Sequence, residues 1–229
     1  SICVMACRGS GRGGVIRWAL FSMTQPDLFG ESFARAGVAI LRGFALTDDI
    51  ALVAAIDAIV AEAPFRHMTV PGGGRMSVAM TNAGIGWVAD TRGYRYDPAD
   101  PLSGQLWPDM PPIFVDLAHR AAREAGFDFS PDGCLINRYE PGAKMGLHQD
   151  INEGDYSAPI VSVSLGLPAT FQFGGLKRSD PVEKITLHHG DVVVWGGPAR
   201  KSFHGVLTLK AGHHAIGGHR YNLTFRKVM

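Results

Sequence analysis

The stretch Arg220-Tyr221-Asn222-Leu223-Thr224-Phe225-Arg226 decides the fold class, because polar and apolar side chains alternate along it without exception. Successive side chains of a strand point to opposite faces, so the polar residues share one face and the apolar residues the other. If the polar face were exposed to water, lysine and glutamate would serve there as well as the observed arginine, asparagine and threonine. If this face points inward, its two guanidinium groups need anionic partners. The stretch therefore predicts a strand with a polar inner face.

Further short runs of β-type residues precede this strand. Turn signals such as Pro141-Gly142, Gly174-Gly175 and Gly196-Gly197-Pro198 separate them, and the chain contains 29 glycines and 14 prolines. The runs lie at residues 135–139, 160–167, 170–173, 185–187, 191–195 and 203–209. Seven or eight strands at this spacing without intervening helices predict a sandwich or a barrel, not a parallel α/β sheet.

Two helices are expected before the β-rich part. The first follows the N-cap signal Thr47-Asp48-Asp49 and ends before Pro64, and the second begins at Pro111-Pro112 and ends at Gly126. Residues 65–110 between them are rich in glycine and aromatic residues without a sustained period. We interpret this segment as hairpins and loops that form a lid.

Residues 1–22 contain three arginines and no acid, with a glycine-rich run at 9–14. We interpret 1–22 as a disordered or non-native extension, and 23–229 as a single domain with the lid at about 65–110 and the β-rich core at about 134–226.

Composition excludes several classes of protein. The 22 basic and 21 acidic residues give a net charge of +1, so bulk electrostatics cannot hold nucleic acid and any such binding needs a local patch. No apolar run reaches the roughly 18 to 20 residues of a membrane helix. The three cysteines cannot form a disulfide framework and include no Cys-x-x-Cys pair. These features predict a soluble, cytoplasmic protein without a membrane partner, and we expect a monomer.

The segment His148-Gln149-Asp150 offers two metal ligands. On an extended strand its imidazole and carboxylate face the same way. A closed sheet could bring His204 to the same point, and two histidines with one carboxylate are the ligands of non-haem iron(II) oxygenases. On spacing alone, a surface or hydrogen-bonded His-x-Asp pair is the more frequent alternative.

The polar face of 220–226 suggests a second ligand. Its terminal arginines have Cα atoms about 20 Å apart, which leaves a gap the size of a small dicarboxylate such as 2-oxoglutarate once both side chains lean inward. Asn137 and Tyr139 share a face of another strand and offer an amide and a phenol. Taken alone, a tyrosine at position 139 is more often a core residue with its hydroxyl satisfied.

Together these segments resemble the AlkB family of iron(II)- and 2-oxoglutarate-dependent nucleic-acid dealkylases, close to the bacterial AlkB subgroup. The resemblance spans about 23–226 and includes residues 76–82, 158–178 and 190–197. It implies a mainly β (α+β) fold, with a double-stranded β-helix (jelly-roll, cupin-like) core, two flanking helices and a nucleotide-recognition lid.

The resemblance also implies an activity. It is the oxidative demethylation of N-alkylated bases such as 1-methyladenine, 3-methylcytosine and etheno adducts, in single- or double-stranded DNA and conceivably in RNA. Formaldehyde, succinate and CO2 are released. The cofactor is Fe(II), the cosubstrates are 2-oxoglutarate and O2, and no catalytic residue is needed beyond the iron ligands.

Roles are carried over residue by residue from the family pattern. The implied iron ligands are His148, Asp150 and His204. The implied 2-oxoglutarate residues are Asn137, Arg138, Tyr139, Arg220, Asn222 and Arg226. The implied substrate residues are Trp87, Tyr94, Arg95, Tyr96, Asn152 and Arg178, with Trp87 stacking on an extruded base opposite His148. Taken singly, Trp87 and Tyr94 would more often be core or hairpin-packing aromatics.

One position departs from the family pattern. Asn152 stands where bacterial AlkB has an acidic residue that contacts the damaged base, which leaves lesion preference open. An oxygenase of the same fold acting on a non-nucleic-acid substrate is the alternative function, and a cupin-like binding module is a further one. The aromatic lid argues against the first and the inward arginines against the second.

Overall fold

Residues 35–229 are described by the structure, a computed structural model. The interpretation of 1–22 as an extension lies outside the described residues. The elements in chain order are β1 (Val38–Leu41), α1 (Asp49–Glu62), β2 (Arg66–Thr69), β3 (Arg75–Gly84), β4 (Gly86–Asp90), β5 (Gly93–Asp97), α2 (Pro112–Glu124), β6 (Gly133–Tyr139), β7 (Met145–His148), β8 (Ile160–Gly166), β9 (Ala169–Phe173), β10 (Glu183–Leu187), β11 (Val192–Trp195), β12 (His204–Val206) and β13 (Arg220–Arg226).

The strands form two main sheets and a separate hairpin. The large sheet has seven strands in the order β1-β11-β8-β13-β6-β3-β2, and the small sheet has four in the order β10-β9-β12-β7. β4 pairs only with β5 among the described strands. All pairings within the two sheets are antiparallel, as a jelly roll requires. The predicted jelly-roll fold with two flanking helices is confirmed.

β13 lies in the middle of the large sheet, between β8 and β6. Its apolar residues Tyr221, Leu223 and Phe225 belong to the hydrophobic core, together with Leu52 of α1 and Phe114 of α2. The helices therefore cover this face of the sheet, and the polar face of β13 is turned toward the small sheet. The alternation in the sequence corresponds to these two buried faces.

Two expectations about local structure are wrong. Residues 65–110 are not all lid, because β2 and β3 extend the large sheet and only the β4–β5 hairpin stands apart from it. Asp48 occupies the N-cap of α1 but makes no capping hydrogen bond. Its carboxylate instead accepts a hydrogen bond of 2.6 Å from Arg120 of α2, so tertiary pairing has replaced the local cap.

Neither α1 nor α2 is long and apolar enough to cross a membrane, and the structure describes no other α-helix in residues 35–229.

Candidate active site

Two adjacent strands of the small sheet bring the predicted metal ligands together. His148 at the end of β7 is the cross-strand partner of His204 at the start of β12. Asp150 lies two residues beyond β7, so the loop that follows the strand places its carboxylate, and the expectation that one strand face carries both residues is wrong. One ligand atom from each of the three residues lies within 4.8 Å of the others.

Backbone carbonyls orient both imidazole rings. His148 Nδ1 lies 2.9 Å from the carbonyl oxygen of Gly146, and His204 Nδ1 lies 3.0 Å from that of Ser202. Each Nδ1 therefore carries the proton and donates it, which leaves Nε2 as a free lone pair. Each Nε2 lies 3.6 to 3.8 Å from a carboxylate oxygen of Asp150. Two imidazoles and one carboxylate fit a non-haem iron(II) centre with open coordination positions.

The surroundings favour the protonation states that metal binding needs. Burial raises the pKa of Asp150, but the charge of Arg226 and the contacts with His204 outweigh burial and hold that pKa well below its usual range. Burial, reinforced by His204, lowers the pKa of His148 to about 4. At neutral pH the cluster therefore offers a carboxylate and a neutral imidazole of His148.

A cavity of about 50 Å³ lies between the two sheets beside this cluster. A water molecule needs about 10–15 Å³ on this scale, so the cavity holds about four waters, or one small organic anion. Its walls include His148, His204 and the whole predicted polar face: Asn137, Tyr139, Arg220, Asn222, Thr224 and Arg226.

Arg220 contributes an unpaired positive charge to this cavity. Its side chain is 1% exposed, and its Nη2 donates to Ser164 Oγ at 2.8 Å. Nε and Nη1 have no hydrogen-bond partner among the described residues. Tyr139 lies beside the guanidinium group, 5.3 Å from ring centroid to Cζ, and burial raises its pKa to about 12. Buried donors without partners indicate an anionic ligand.

Side-chain amides and hydroxyls form the wall between the arginines. Asn222 Nδ2 donates to Ser162 Oγ at 2.8 Å and to the Val163 carbonyl at 3.0 Å. Asn222 Oδ1 accepts from Thr224 Oγ1 at 3.0 Å and from Asn137 Nδ2 at 3.3 Å. These bonds fix the orientation of Asn222.

Arg226 is already paired, in contrast to Arg220. Its Nη2 donates to Asp150 Oδ2 at 2.8 Å, and its Nε lies 3.2 Å from Glu153 Oε1. These carboxylates raise the pKa of Arg226 despite its burial, which acts in the opposite direction. The sequence predicts two equivalent arginine clamps, whereas the structure shows one free and one pre-oriented guanidinium group.

A second cavity of about 260 Å³ adjoins the metal cluster and shares His148 and Arg226 with the first. Trp87 and Tyr94 of the hairpin form part of its wall and stack on each other, with ring centroids 5.7 Å apart and 16° between the planes. His148 and Asp150 also line it, and Asn152 Oδ1 accepts a hydrogen bond of 3.4 Å from Trp87 Nε1. The predicted juxtaposition of Trp87 and His148 around one cavity is present.

Arg138 and Arg95 are not brought to either cavity. Arg138 belongs to β6, but its Nε donates to Glu140 at 2.7 Å on the face away from the polar residues. The strand alternation of β6 already contained this signal, because Arg138 lies between Asn137 and Tyr139. Arg95 of β5 pairs within its own hairpin, where Nη1 lies 3.0 Å from Asp90 Oδ2.

Tyr96 and Arg178 also differ from the expectation. Tyr96 lines neither cavity, and its hydroxyl donates to Glu153 Oε1 at 2.6 Å. Arg178 packs over the ring of Phe203, 4.9 Å from its centroid, and lines neither cavity.

Sequence reasoning missed several residues of the site. Arg200 is 3% exposed and donates to the backbone carbonyl of Asp150 at 3.0 Å, which anchors the ligand loop. Ser162 and Ser164 hold Asn222 and Arg220, and their alternation with apolar residues in β8 was the available signal. No local pattern marks Arg200.

Comparison with known proteins agrees with this geometry. A family model described as the 2OG-Fe(II) oxygenase superfamily matches residues 37–226. The chain belongs to this superfamily. The oxygenase is 56% identical over 196 residues to the alpha-ketoglutarate-dependent dioxygenase AlkB of Escherichia coli, an alignment that covers 84% of this chain and 91% of AlkB.

Two further similarities involve ALKBH1 proteins. The oxygenase is 31% identical to the DNA N(6)-methyladenine demethylase ALKBH1C of Arabidopsis thaliana, over 67% of this chain and 39% of that protein. The solved structure of OsALKBH1 matches with a TM-score of 0.76 at 28% identity, covering 85% of this chain and 100% of that one. The chain is thus an iron(II)- and 2-oxoglutarate-dependent dioxygenase close to bacterial AlkB.

Proposed function

We propose that this oxygenase removes alkyl groups from the bases of nucleic acid, with 1-methyladenine, 3-methylcytosine and etheno adducts as substrates. The observation that carries the proposal is the stacked pair Trp87–Tyr94, which shares a cavity with His148 and Asp150. A base taken out of a duplex needs an aromatic surface to replace its lost stacking. A small-molecule or protein substrate has no such need.

We assign the iron to His148, Asp150 and His204, whose ligand atoms converge. When bound, iron with 2-oxoglutarate and O2 supplies the oxidation that yields succinate and CO2, with a methyl group leaving as formaldehyde and an etheno bridge as a two-carbon dialdehyde. The protein's own part is positioning and exclusion of water.

We assign the cosubstrate to the smaller cavity. Arg220 supplies the unpaired cation and Arg226 the pre-oriented one, while Asn137, Tyr139 and Asn222 complete the polar wall. A dicarboxylate bound there would satisfy the free donors of Arg220 by charge-assisted hydrogen bonds.

The relatives support nucleic acid as the polymer. The Arabidopsis relative is named a DNA demethylase, and a fission-yeast relative that is 32% identical over 101 residues is named a tRNA demethylase. We propose DNA as the main substrate, so a 3-methylcytosine DNA oligonucleotide should release formaldehyde faster than the RNA oligonucleotide of the same sequence. The monomeric state and the cytoplasmic location remain predictions.

Release of succinate and formaldehyde tests the proposal. A 3-methylcytosine oligonucleotide should yield both products in equal amounts, and the unmethylated oligonucleotide should yield no formaldehyde. Stacking contributes about 1–3 kcal/mol per base, so Trp87→Ala should raise the KM for the methylated oligonucleotide about fivefold or more. Equal product formation with the methylated and unmethylated oligonucleotides would contradict the proposal.

The metal assignment has its own test. His204→Ala should abolish succinate formation and weaken iron(II) binding in calorimetry, because two ligands hold the ion less well than three. The circular dichroism spectrum should stay that of the parent, since an open catalytic site does not supply the folding energy. Turnover at the parent rate would show that His204 is not a ligand.

A further inference from the structure

Glu153 is a buried acid that neither cavity contains. Its side chain is 1% exposed and lies between two guanidinium groups. Arg226 Nε is 3.2 Å from Oε1, and Arg200 Nη2 is 3.3 Å from Oε2. The Tyr96 hydroxyl donates to Oε1 at 2.6 Å. A buried carboxylate with partners of this kind is held in one orientation.

Arg226 borders both the cosubstrate cavity and the substrate cavity. Asp150 Oδ2 accepts from both its Nη2, at 2.8 Å, and its Nε, at 3.3 Å, and Glu153 Oε1 forms an ion pair with the same Nε, so two carboxylates set the plane of the guanidinium group. A planar fork recognises a carboxylate only when its plane is correctly aligned. The orientation of Glu153 therefore bears directly on the way Arg226 presents its remaining donor.

Tyr96 brings the hairpin into this network. It belongs to β5 and is the cross-strand partner of Trp87 in β4. Directly opposite residues share a face of the hairpin, so the face that carries the stacked pair Trp87–Tyr94 also carries Tyr96, whose hydroxyl holds the carboxylate beside Arg226.

We propose that Tyr96 and Glu153 are positioning residues for Arg226, through which the position of the β4–β5 hairpin and the affinity for 2-oxoglutarate are coupled. The proposal rests on the cosubstrate role assigned to Arg226. Coupling between two sites is reciprocal, so a nucleic acid that fixes the hairpin tightens 2-oxoglutarate binding by the factor by which 2-oxoglutarate tightens nucleic-acid binding.

Tyr96→Phe tests the coupling, because it removes one hydroxyl and keeps the ring. The readout is binding of 2-oxoglutarate, measured by calorimetry with iron(II) under anaerobic conditions, with and without a 3-methylcytosine oligonucleotide. The parent should bind 2-oxoglutarate about fivefold or more tightly with the oligonucleotide than without it. In Tyr96→Phe this ratio should fall to near one. In turnover assays the KM for 2-oxoglutarate should rise more than kcat falls.

Tyr156→Phe is the matched control. The Tyr156 hydroxyl donates to the Ile151 carbonyl at 2.9 Å in the same loop, but it makes no contact with Glu153 or Arg226. This variant should keep the parent's ratio of 2-oxoglutarate affinities with and without the oligonucleotide. Glu153→Gln is the second test variant and should lose the coupling as Tyr96→Phe does, with the thermal midpoint of each variant recorded as a check on folding.

Arg226→Lys separates failure of this proposal from failure of the proposed function. If Arg226→Lys leaves 2-oxoglutarate affinity unchanged, the cosubstrate assignment is wrong. If Arg226→Lys weakens binding while Tyr96→Phe and Glu153→Gln behave like Tyr156→Phe, the cosubstrate assignment stands and the positioning role is overturned.

Discussion

At the scale of single residues, Arg220 is a buried cation, and two of its three nitrogens have no hydrogen-bond partner among the described residues. Burial lowers its pKa, and no carboxylate of the described residues pairs with it. A buried cation without an anionic partner lowers the stability of the fold. Binding of a dicarboxylate would satisfy the unpaired donors Nε and Nη1 and remove this cost, which favours binding.

Arg220→Lys should raise the half-saturating concentration of 2-oxoglutarate about tenfold or more, because an ammonium group cannot reproduce a bidentate fork. Succinate formation at varied 2-oxoglutarate measures this. Arg123→Lys, in the last turn of α2, is the matched control and should leave the half-saturating concentration of 2-oxoglutarate unchanged. An unchanged curve for Arg220→Lys would remove this residue from the cosubstrate site.

The charge around Asn152 is also a residue-scale property. The side chain of Glu153 is buried, but ion pairs with Arg200 and Arg226 neutralise its charge. Asp155 is exposed and accepts hydrogen bonds from Ser157 instead. The substrate cavity therefore holds no free carboxylate near Asn152 among the described residues.

Asn152→Asp should increase the preference for cationic lesions over neutral ones. 1-Methyladenine and 3-methylcytosine carry a positive charge, whereas etheno adducts are largely neutral at pH 7. A charge pair at about 4 Å gives roughly 1 to 4 kcal/mol between water and a protein surface, so the ratio of methyl to etheno repair should rise about fivefold or more. Competition between a 3-methylcytosine and an ethenoadenine oligonucleotide at one salt concentration measures the ratio, and an equal or lower ratio would refute the argument.

At the scale of elements, the metal cluster depends on how closely β12 approaches β7. Gly205 makes that approach possible, because a Cβ at this position would lie 2.7 Å from the backbone oxygen of Met145. The two histidines are cross-strand partners in this pair, so any widening of it separates them.

Gly205→Ala should therefore lower iron(II) affinity by about tenfold or more, as disturbed supporting shells of metal sites do. Calorimetric titration with iron(II) under anaerobic conditions measures it. Gly72→Ala is the control, since a Cβ there meets nothing within 4 Å. Parent-like affinity in Gly205→Ala would show that the strands tolerate the added methyl group.

At the scale of the whole molecule, the pair Arg66–Asp100 ties the edge of the large sheet to the segment after the hairpin. Arg66 Nη1 donates to Asp100 Oδ2 at 2.5 Å, and Arg66 also lies over the ring of Trp107. Burial raises the pKa of Asp100, but the hydrogen bonds from Arg66 and from the Leu102 backbone outweigh it, and the pKa lies below the ordinary value of 3.8.

A lowered carboxyl pKa stabilises the fold above the unfolded pKa, and this contribution is lost as the pH falls through the folded pKa. Asp100→Asn should reduce the free energy of unfolding at pH 7 by about 1–3 kcal/mol, and the deficit should shrink below pH 3.8. Urea unfolding across this pH range measures it. Asp116→Asn, at a carboxylate that is 64% exposed, should show little deficit at any pH, and a pH-independent deficit in Asp100→Asn would contradict the linkage.

Elements with a local signal could be predicted from the sequence. Strict alternation fixes β13 and its two faces, and turn residues place most strands of the core close to their observed bounds. The residue types of His148, Asp150 and His204 fix the chemistry of the metal cluster, because imidazole and carboxylate are iron ligands wherever the chain brings them together. β3 was not predicted, because residues 80–83 are all buried and show no alternation of exposed and buried side chains.

Tertiary structure alone decided which charges meet. Arg220 and Arg226 are equivalent in the sequence pattern, yet one is free and the other is held by Asp150 and Glu153. Likewise, Tyr96 contacts Glu153 from the β4–β5 hairpin, and Arg200 contacts it from the segment between β11 and β12. Partner choice among buried charges depends on distances between elements remote in sequence, and only strand order and packing set those distances.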